Sequence, residues 1–415
     1  MSANAAIPTD RTTRATSLLL NVAHALDHLF LLIFAAAVGS IAADFGIGRW
    51  EDLMPYGAGA FALFGLGSLP AGKLGDHWGR RRMMLVFFFG IGVAALIAAC
   101  MQNAWQLAAA LTLLGAFSAI YHPVGIPMLV RHSERPGLTI GVNGLAGNLG
   151  VAMAAVITGY LVKYVGWRAA FVVPALIAIA CGVLFARLAP HEAEPPARRK
   201  ATAVELPSGA LARMFVVITI ASSTATLLFN FTTNGNGELL RERMTGLVSD
   251  PARLGLLLAG VYVVASFAQL IVGALIDRVP LKYLYAGIVV VQPPLFWLAS
   301  SAQGWAFYVL MVAFMIMVFG AIPFTDATIV RYVDDRMRSR VSGMRLTVAF
   351  GASSLAVWLL GPLVKAGGFS TLLLVMAGIA TLTFIATLAL PDPKLLRAHE
   401  AVRPGRVPEP ARAAD

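Results

Sequence analysis

The stretch Gly72-Lys-Leu-Gly-Asp-His-Trp-Gly-Arg-Arg-Arg82 lies between two apolar runs, at about 55–75 and 83–102, each close to the roughly 20 residues that span a bilayer as a helix. Gly75 and Gly79 permit a tight turn and a close approach of the flanking helices, while Asp76 can accept from helix-end amides or an arginine. Arg80, Arg81 and Arg82 suit the cytoplasmic interface. Two membrane helices joined by a short charged turn predict a polytopic chain.

Further apolar runs can be placed outward from this turn at about 17–43, 105–130, 138–162 and 168–188. Others follow at about 211–234, 252–276, 281–300, 304–330, 341–364 and 369–390, which predicts twelve transmembrane helices in all. Composition agrees: of 415 residues 58% are hydrophobic and 13% charged, with mean hydropathy +0.77, whereas an average soluble domain carries roughly 25% charged residues. A water-soluble fold would have nowhere to put this apolar surface. The lead-in through Thr16 enters a run too long and too polar-studded for a signal peptide's apolar region of about 7–15 residues, so the first helix is expected to stay in the mature protein. Cys100 and Cys181 both lie in apolar runs, which leaves neither a disulfide framework nor a thiolate metal cluster.

The net charge of +11 invites a nucleic-acid reading, but its distribution is a topology signal. With a cytoplasmic amino terminus, 24 of the 32 Lys and Arg residues fall inside and 7 outside, with Arg345 within a helix. Both termini are then cytoplasmic, and no nucleic-acid partner is expected.

The longest polar break runs from Ala189 to Ala210 and holds Pro195, Pro196, Pro207 and mixed charges without an apolar period. It divides the chain into a six-helix bundle over residues 1–189, a cytoplasmic linker over 190–210, and a second bundle with its tail over 211–415. The halves echo each other at about 200 residues: Gly72 to Asp76 with Gly273 to Asp277, Pro123 and Arg131 with Pro323 and Arg331, Gly150 with Gly351. Such parallel duplication predicts two bundles related about the membrane normal. The outer end of the seventh run, Asn230 to Glu238, is rich in glycine, asparagine and threonine and predicts a frayed helix end or an external loop.

Within the runs, the polar groups are expensive and therefore informative. Asn21, His24, Asp27 and His28 fall on one helical stripe of the first run, a candidate proton-handling group facing a water-filled cavity or else a polar lock between helices. Tyr121-His-Pro-Val-Gly-Ile-Pro127 puts two prolines in the fourth run, freeing carbonyls near His122, which is a candidate substrate or proton contact or a residue that satisfies the bend. Gly144, Gly147 and Asn148, with Gly141, Asn143, Gly150 and Gly159, predict close helix packing in the fifth run. Asp326 and Arg345 in the tenth and eleventh runs can pair, either at the cavity, with Arg345 offering a planar fork to an anionic group, or as a buried structural ion pair. Tyr121, Gln269 and Gln292 are further cavity candidates, all neutral. Asp27 is expected to be the main proton-exchange group, with His24, His28 and His122 as relays. No nucleotide-binding glycine loop, nucleophile motif or metal triad stands in a soluble segment, so neither an enzyme nor a cofactor is expected.

The string from Gly72 to Arg82 resembles the signature loop of the major facilitator superfamily. The resemblance implies a conformational latch in which Gly72, Asp76, Gly79, Arg80 and Arg81 hold the bundles closed on the cytoplasmic side while the cavity opens outward. His24, Tyr121-His-Pro123, Gly137-Leu138 and Gly147-Asn-Leu-Gly150 look like the fosmidomycin-resistance branch of that superfamily. That implies a bacterial inner-membrane exporter driven by protons, with an amphiphilic or anionic small molecule as substrate and lipids as surroundings. Val124 replaces the acidic residue that commonly follows His-Pro in the branch, and Asp27-His28 stands where an Asn-Asp pair is usual. The mechanism class carries over; the drug does not. An uptake or lipid-handling transporter, and a non-transporting sensor or scaffold, are the other readings.

Overall fold

A computed structural model describes residues 10–130, 136–191, 209–276, 278–332 and 335–390, apart from the side chains at 10–12, 136–138, 209–215, 218, 325–332, 335–346 and 350. The apolar runs take up helix, and no strand occurs among the described residues. The long helices are α1 (Asp10–Asp44), α2 (Ala58–Trp78), α3 (Arg80–Ala99), α4 (Ala104–Val130), α5 (Pro136–Tyr164) and α6 (Trp167–Leu188), then α7 (Gly209–Arg243), α8 (Pro251–Ile276), α9 (Leu281–Ser301), α10 (Gly304–Tyr332) and α11 (Asp335–Leu388). Gly368, at φ 72°, breaks α11 into two arms, a conformation that glycine adopts without a Cβ clash. Among the described residues nine helices are long and apolar enough to cross a membrane by length and composition.

Side-chain chemistry explains the local departures. Gly79, at φ 93°, makes the turn between α2 and α3 that the signature string predicts. Pro123 does not break α4; the helix widens into one π-turn over Tyr121–Gly125 and continues from Ile126 to Val130, a device frequent where a helix carries function. The expected frayed end at Asn230 to Glu238 is corrected: α7 runs unbroken to Arg243. Asn230 and Asn234 amides and the Thr232 and Thr233 hydroxyls donate to carbonyls one turn back, and these four side chains are buried. Tertiary packing overrides the weak helix propensity of the stretch.

The helix pairings repeat. α1 against α5 is answered by α7 against α11, α3 against α6 by α9 against α11, and α2 against α4 by α8 against α10. Two seams join the halves, α5 on α8 and α2 on α11. Both seams are tight at the end of the bundle where α1 finishes, opposite the end where it starts. A Cβ on Gly159 would stand 2.6 Å from the Pro251 carbonyl oxygen and 3.2 Å from Gly255 Cα. On the other seam the Ser354 hydroxyl donates to the Ala58 carbonyl at 3.1 Å, and a Cβ on Gly361 would overlap the Glu51 carbonyl oxygen. An ion pair crosses each seam, Lys163 with Asp250 and Lys365 with Asp52. The hydrogen bond from Lys163 holds the Asp250 carboxyl below the usual carboxylate range. Gly159 and Gly361, Lys163 and Lys365, and Asp52 and Asp250 are each about 200 positions apart, so the internal repeat extends to the seams.

Candidate functional site

The two halves enclose a cavity of about 500 Å³ between α1, α2, α4 and α5 on one side and α7, α8, α10 and α11 on the other. Its lining reaches Ile126, Ile140, Gly273 and Pro323 toward the end where α1 starts, away from the tight seams. The first half contributes His24, His28, His122, Asn143 and Asn148; the second contributes neutral hydrogen-bonding groups such as Ser222, Asn230, Ser266 and Gln269. Apolar and aromatic side chains, Phe61, Phe64 and Phe229 among them, cover much of the rest, the mix expected of a small-molecule site.

The stripe on α1 behaves as one group because the π-turn of α4 brings His122 to it. The His24 and His28 ring nitrogens are 3.2 Å apart, and the His122 ring stands edge-on to His24 with centroids 5.1 Å apart. Tyr121 stacks on His24 from the buried side at 4.8 Å. His24 Nδ1 donates to the Asn143 carbonyl at 2.7 Å; a carbonyl only accepts, so Nδ1 carries a hydrogen and Nε2 of the neutral ring accepts from His28.

Asp27 lies behind this cluster and is fully buried. Its Oδ1 accepts from the Ser118 hydroxyl. Its Oδ2 has no hydrogen-bond partner and stands 3.7 Å from His122 Nε2. Among the described residues no lysine or arginine reaches it. A desolvated carboxylate with one bare oxygen is costly as an anion, and a proton on that oxygen removes the cost.

Other expected site residues are placed as follows. Asn21 and Tyr121 do not line the cavity; each bonds the Asn143 amide, at 2.9 and 2.6 Å. Gln269 lines it, whereas Gln292 is buried on the Met317 carbonyl of α10. Gly147 packs on the His24 ring, and Gly150 on the α1 backbone at Ala25. Gly144 and Asn148 sit at the cavity wall as well as in α5, and Asn148 Nδ2 is buried without a partner. The side chains of Asp326 and Arg345 lie outside the described residues, as does Asp277. Gly72 packs against Pro123 and Gly75 against Val124, at 3.3 and 3.0 Å from the Cβ each lacks. Asp76 is exposed, while Arg80 donates to the Pro127 carbonyl and Arg81 to the carbonyls of Ala186 and Ala189 at the end of α6. Ser118 and the hub role of Asn143 were not legible beforehand. A lone serine in an apolar run carries no sign of its partner, and Asn143 read as packing.

The family model of the Major Facilitator Superfamily matches residues 20–235. The multidrug efflux pump LfrA of Mycolicibacterium smegmatis is 29% identical over 166 residues, 39% of this chain and 33% of that protein. The puromycin resistance protein pur8 of Streptomyces alboniger is 30% identical over 173 residues, 41% of this chain and 33% of that protein. The gallate transporter of Pseudomonas putida is 25% identical over 177 residues, 42% of this chain and 39% of that protein. The chain thus matches about a third of the length of these curated relatives. In fold it is similar to a bacterial homologue of the human lysosomal transporter Spinster, solved in an inward-facing and occupied conformation, with TM-score 0.74 and 13% identity over 93% of this chain and 100% of that one.

Proposed function

Because the chain belongs to the major facilitator superfamily, we propose that it is a proton-coupled secondary transporter that exports a small amphiphilic or anionic molecule across a bacterial inner membrane by alternating access. The observation that carries the coupling is the bare Oδ2 of Asp27, buried beside three histidines at the cavity wall. A carrier needs a group that is loaded from one side and unloaded to the other, and a buried carboxylate in contact with titratable neighbours at a cavity meets that need. His122 and His28, which line the cavity, are the relay, and His24 holds them in register.

The same reading takes α2, α7 and the two arms of α11 as crossings beside the other helices, making twelve, with residues 190–210 as the linker between bundles and both termini in the cytoplasm. The charge asymmetry supports that orientation. The tight seams then face outward and the cavity extends toward the cytoplasm. The similarity to the multidrug efflux pump LfrA and to a puromycin resistance protein supports efflux, and the motifs at His24, Tyr121 to Pro123 and Gly147 to Gly150 support the fosmidomycin-resistance branch. Uptake stays the second reading, and the gallate transporter among the relatives supports an anionic cargo for either direction.

Flux in proteoliposomes tests this, with puromycin as an amphiphilic probe and gallate as an anionic one. An imposed pH gradient is expected to drive one of them uphill, and collapse of the gradient to leave only exchange. Flux indifferent to the gradient would remove proton coupling; no exchange of either probe would favour the scaffold.

Asp76 is exposed in the conformation seen, as expected for a latch that closes only when the cytoplasmic side does. Asp76→Asn should therefore enrich the present conformation. Loss of a charge-assisted hydrogen bond, about 1.5–3 kcal/mol, weakens the opposite state by at least about tenfold. Spin-label distances across the cytoplasmic face read this directly, and unchanged populations would reject the latch.

A further inference from the structure

We propose that His24, His28 and His122 form a binding site for a divalent transition-metal ion of the zinc class, with the remaining coordination position facing the cavity. One imidazole nitrogen from each residue lies within 4.8 Å of the other two. His24 and His28 are four residues apart on one face of α1, the spacing by which a helix offers two imidazoles to a single ion. A tetrahedral site with Zn–N bonds of about 2.0–2.1 Å sets ligand nitrogens about 3.3 Å apart. The His24 and His28 nitrogens already stand at 3.2 Å, so only His122 has to close in. It is the member with most freedom to do so, being partly exposed at 21% on the π-turn.

The surroundings fit an ion as well as the ligands do. His24 Nδ1 donates to the Asn143 carbonyl, the outer contact that fixes a metal-binding imidazole's orientation and leaves Nε2 with its lone pair outward. The hydrogen that His28 now shares with His24 sits where the ion would sit; on binding it moves to His28 Nδ1, and the neutral ring turns the lone pair of Nε2 to the ion. Asp27 Oδ2, 3.7 Å from His122 Nε2 and without a hydrogen bond, stands at the range of an outer partner to that imidazole and does not ligate the ion. All three histidines line the cavity, which gives an entry path and an open fourth position, the layout of a three-histidine site that keeps water or substrate as its last ligand. Three imidazoles and no thiolate select the zinc, copper and nickel class over magnesium or calcium, which take oxygen ligands.

The site shares residues with the proposed proton path but rests on geometry alone. Its test reads ion binding to the resting protein, so either reading can fail without the other. Full-length protein purified without a polyhistidine tag is titrated with Co2+, and its visible ligand-field bands are followed. One Co2+ per chain is expected, displaced by Zn2+ and not by Mg2+. His28→Ala and His122→Ala, checked for monodispersity, should each abolish the bands, and Asp27→Asn should weaken binding by about 10–100-fold as loss of an outer contact does. No cobalt bands in the wild-type chain would overturn the proposal. So would bands that persist in both histidine variants, which would place the ion on the other histidines.

Discussion

Asp27→Asn is expected to abolish uphill, proton-driven transport while substrate binding and exchange persist. The exchange predicted to survive needs only a cavity and two accessible states, and neither depends on the Asp27 charge. Uphill work needs a proton that is bound in one state and released in the other, and the substitution removes the only carboxylate beside the histidine cluster among the described residues. The amide keeps the size of the group and an oxygen to accept from Ser118, so the fold has no reason to fail. It also leaves no buried anion to be neutralised, so the variant should be at least as stable as the parent. The readout is the accumulation ratio in proteoliposomes at an imposed pH gradient, compared with counterflow at none. Full accumulation by the folded variant would move the coupling group to His122 or Asp326. Ser118→Ala makes a useful companion: it frees Oδ1 as well, and should shift the pH dependence of transport without removing coupling.

Much of this was legible in the sequence for a physical reason. A bilayer forces long apolar runs and makes each polar group inside them expensive, so His24, Asp27, His28 and His122 could be singled out from cost alone. The α2–α3 turn at Gly79 followed from backbone chemistry in the same way, and so did a local departure at Pro123, although α4 takes it up as a π-turn and continues. The sequence did not reveal how helices meet. Ser118 and Asn143 matter because α4 and α5 bring them against α1, and nothing local marks that. Asn230 to Glu238 misled because its residues favour loops in isolation, yet here their side chains satisfy the α7 backbone from within. Lys163 and Lys365 counted only among the outside basic residues, and nothing in the sequence marked Asp250 and Asp52 as their repeat-related partners across the seams.

Gly255→Val is expected to hold the two halves apart at the tight end of the bundle. A Cβ at Gly255 would lie 2.5 Å from the Ala155 carbonyl oxygen and 3.3 Å from Gly159 Cα; these are backbone atoms of the facing helix, and they cannot turn aside as a side chain would. Overpacking costs about 1–3 kcal/mol, and in alternating access that cost falls on the state with this seam closed, because the other state parts it. The equilibrium should move by roughly 5–150-fold toward the parted state. The ion pairs cannot compensate: Lys163 and Asp250 have side chains 33% and 27% exposed, Lys365 and Asp52 46% and 44%, and exposed pairs contribute about 0–1 kcal/mol each. They align the seams, and glycine contact holds them. Gly361→Val, on the other seam and about 200 positions after Gly159, should act in the same direction because its Cβ would meet the Glu51 carbonyl. Gly287→Val is the control, since nothing lies within 4 Å of a Cβ there. Spin labels at Val165 and Leu247, both exposed near this end, should report longer distances in Gly255→Val and Gly361→Val, with transport slowed in step. Parental distances in both seam variants would mean that the halves do not part here, and that the cavity exchanges its contents by another route.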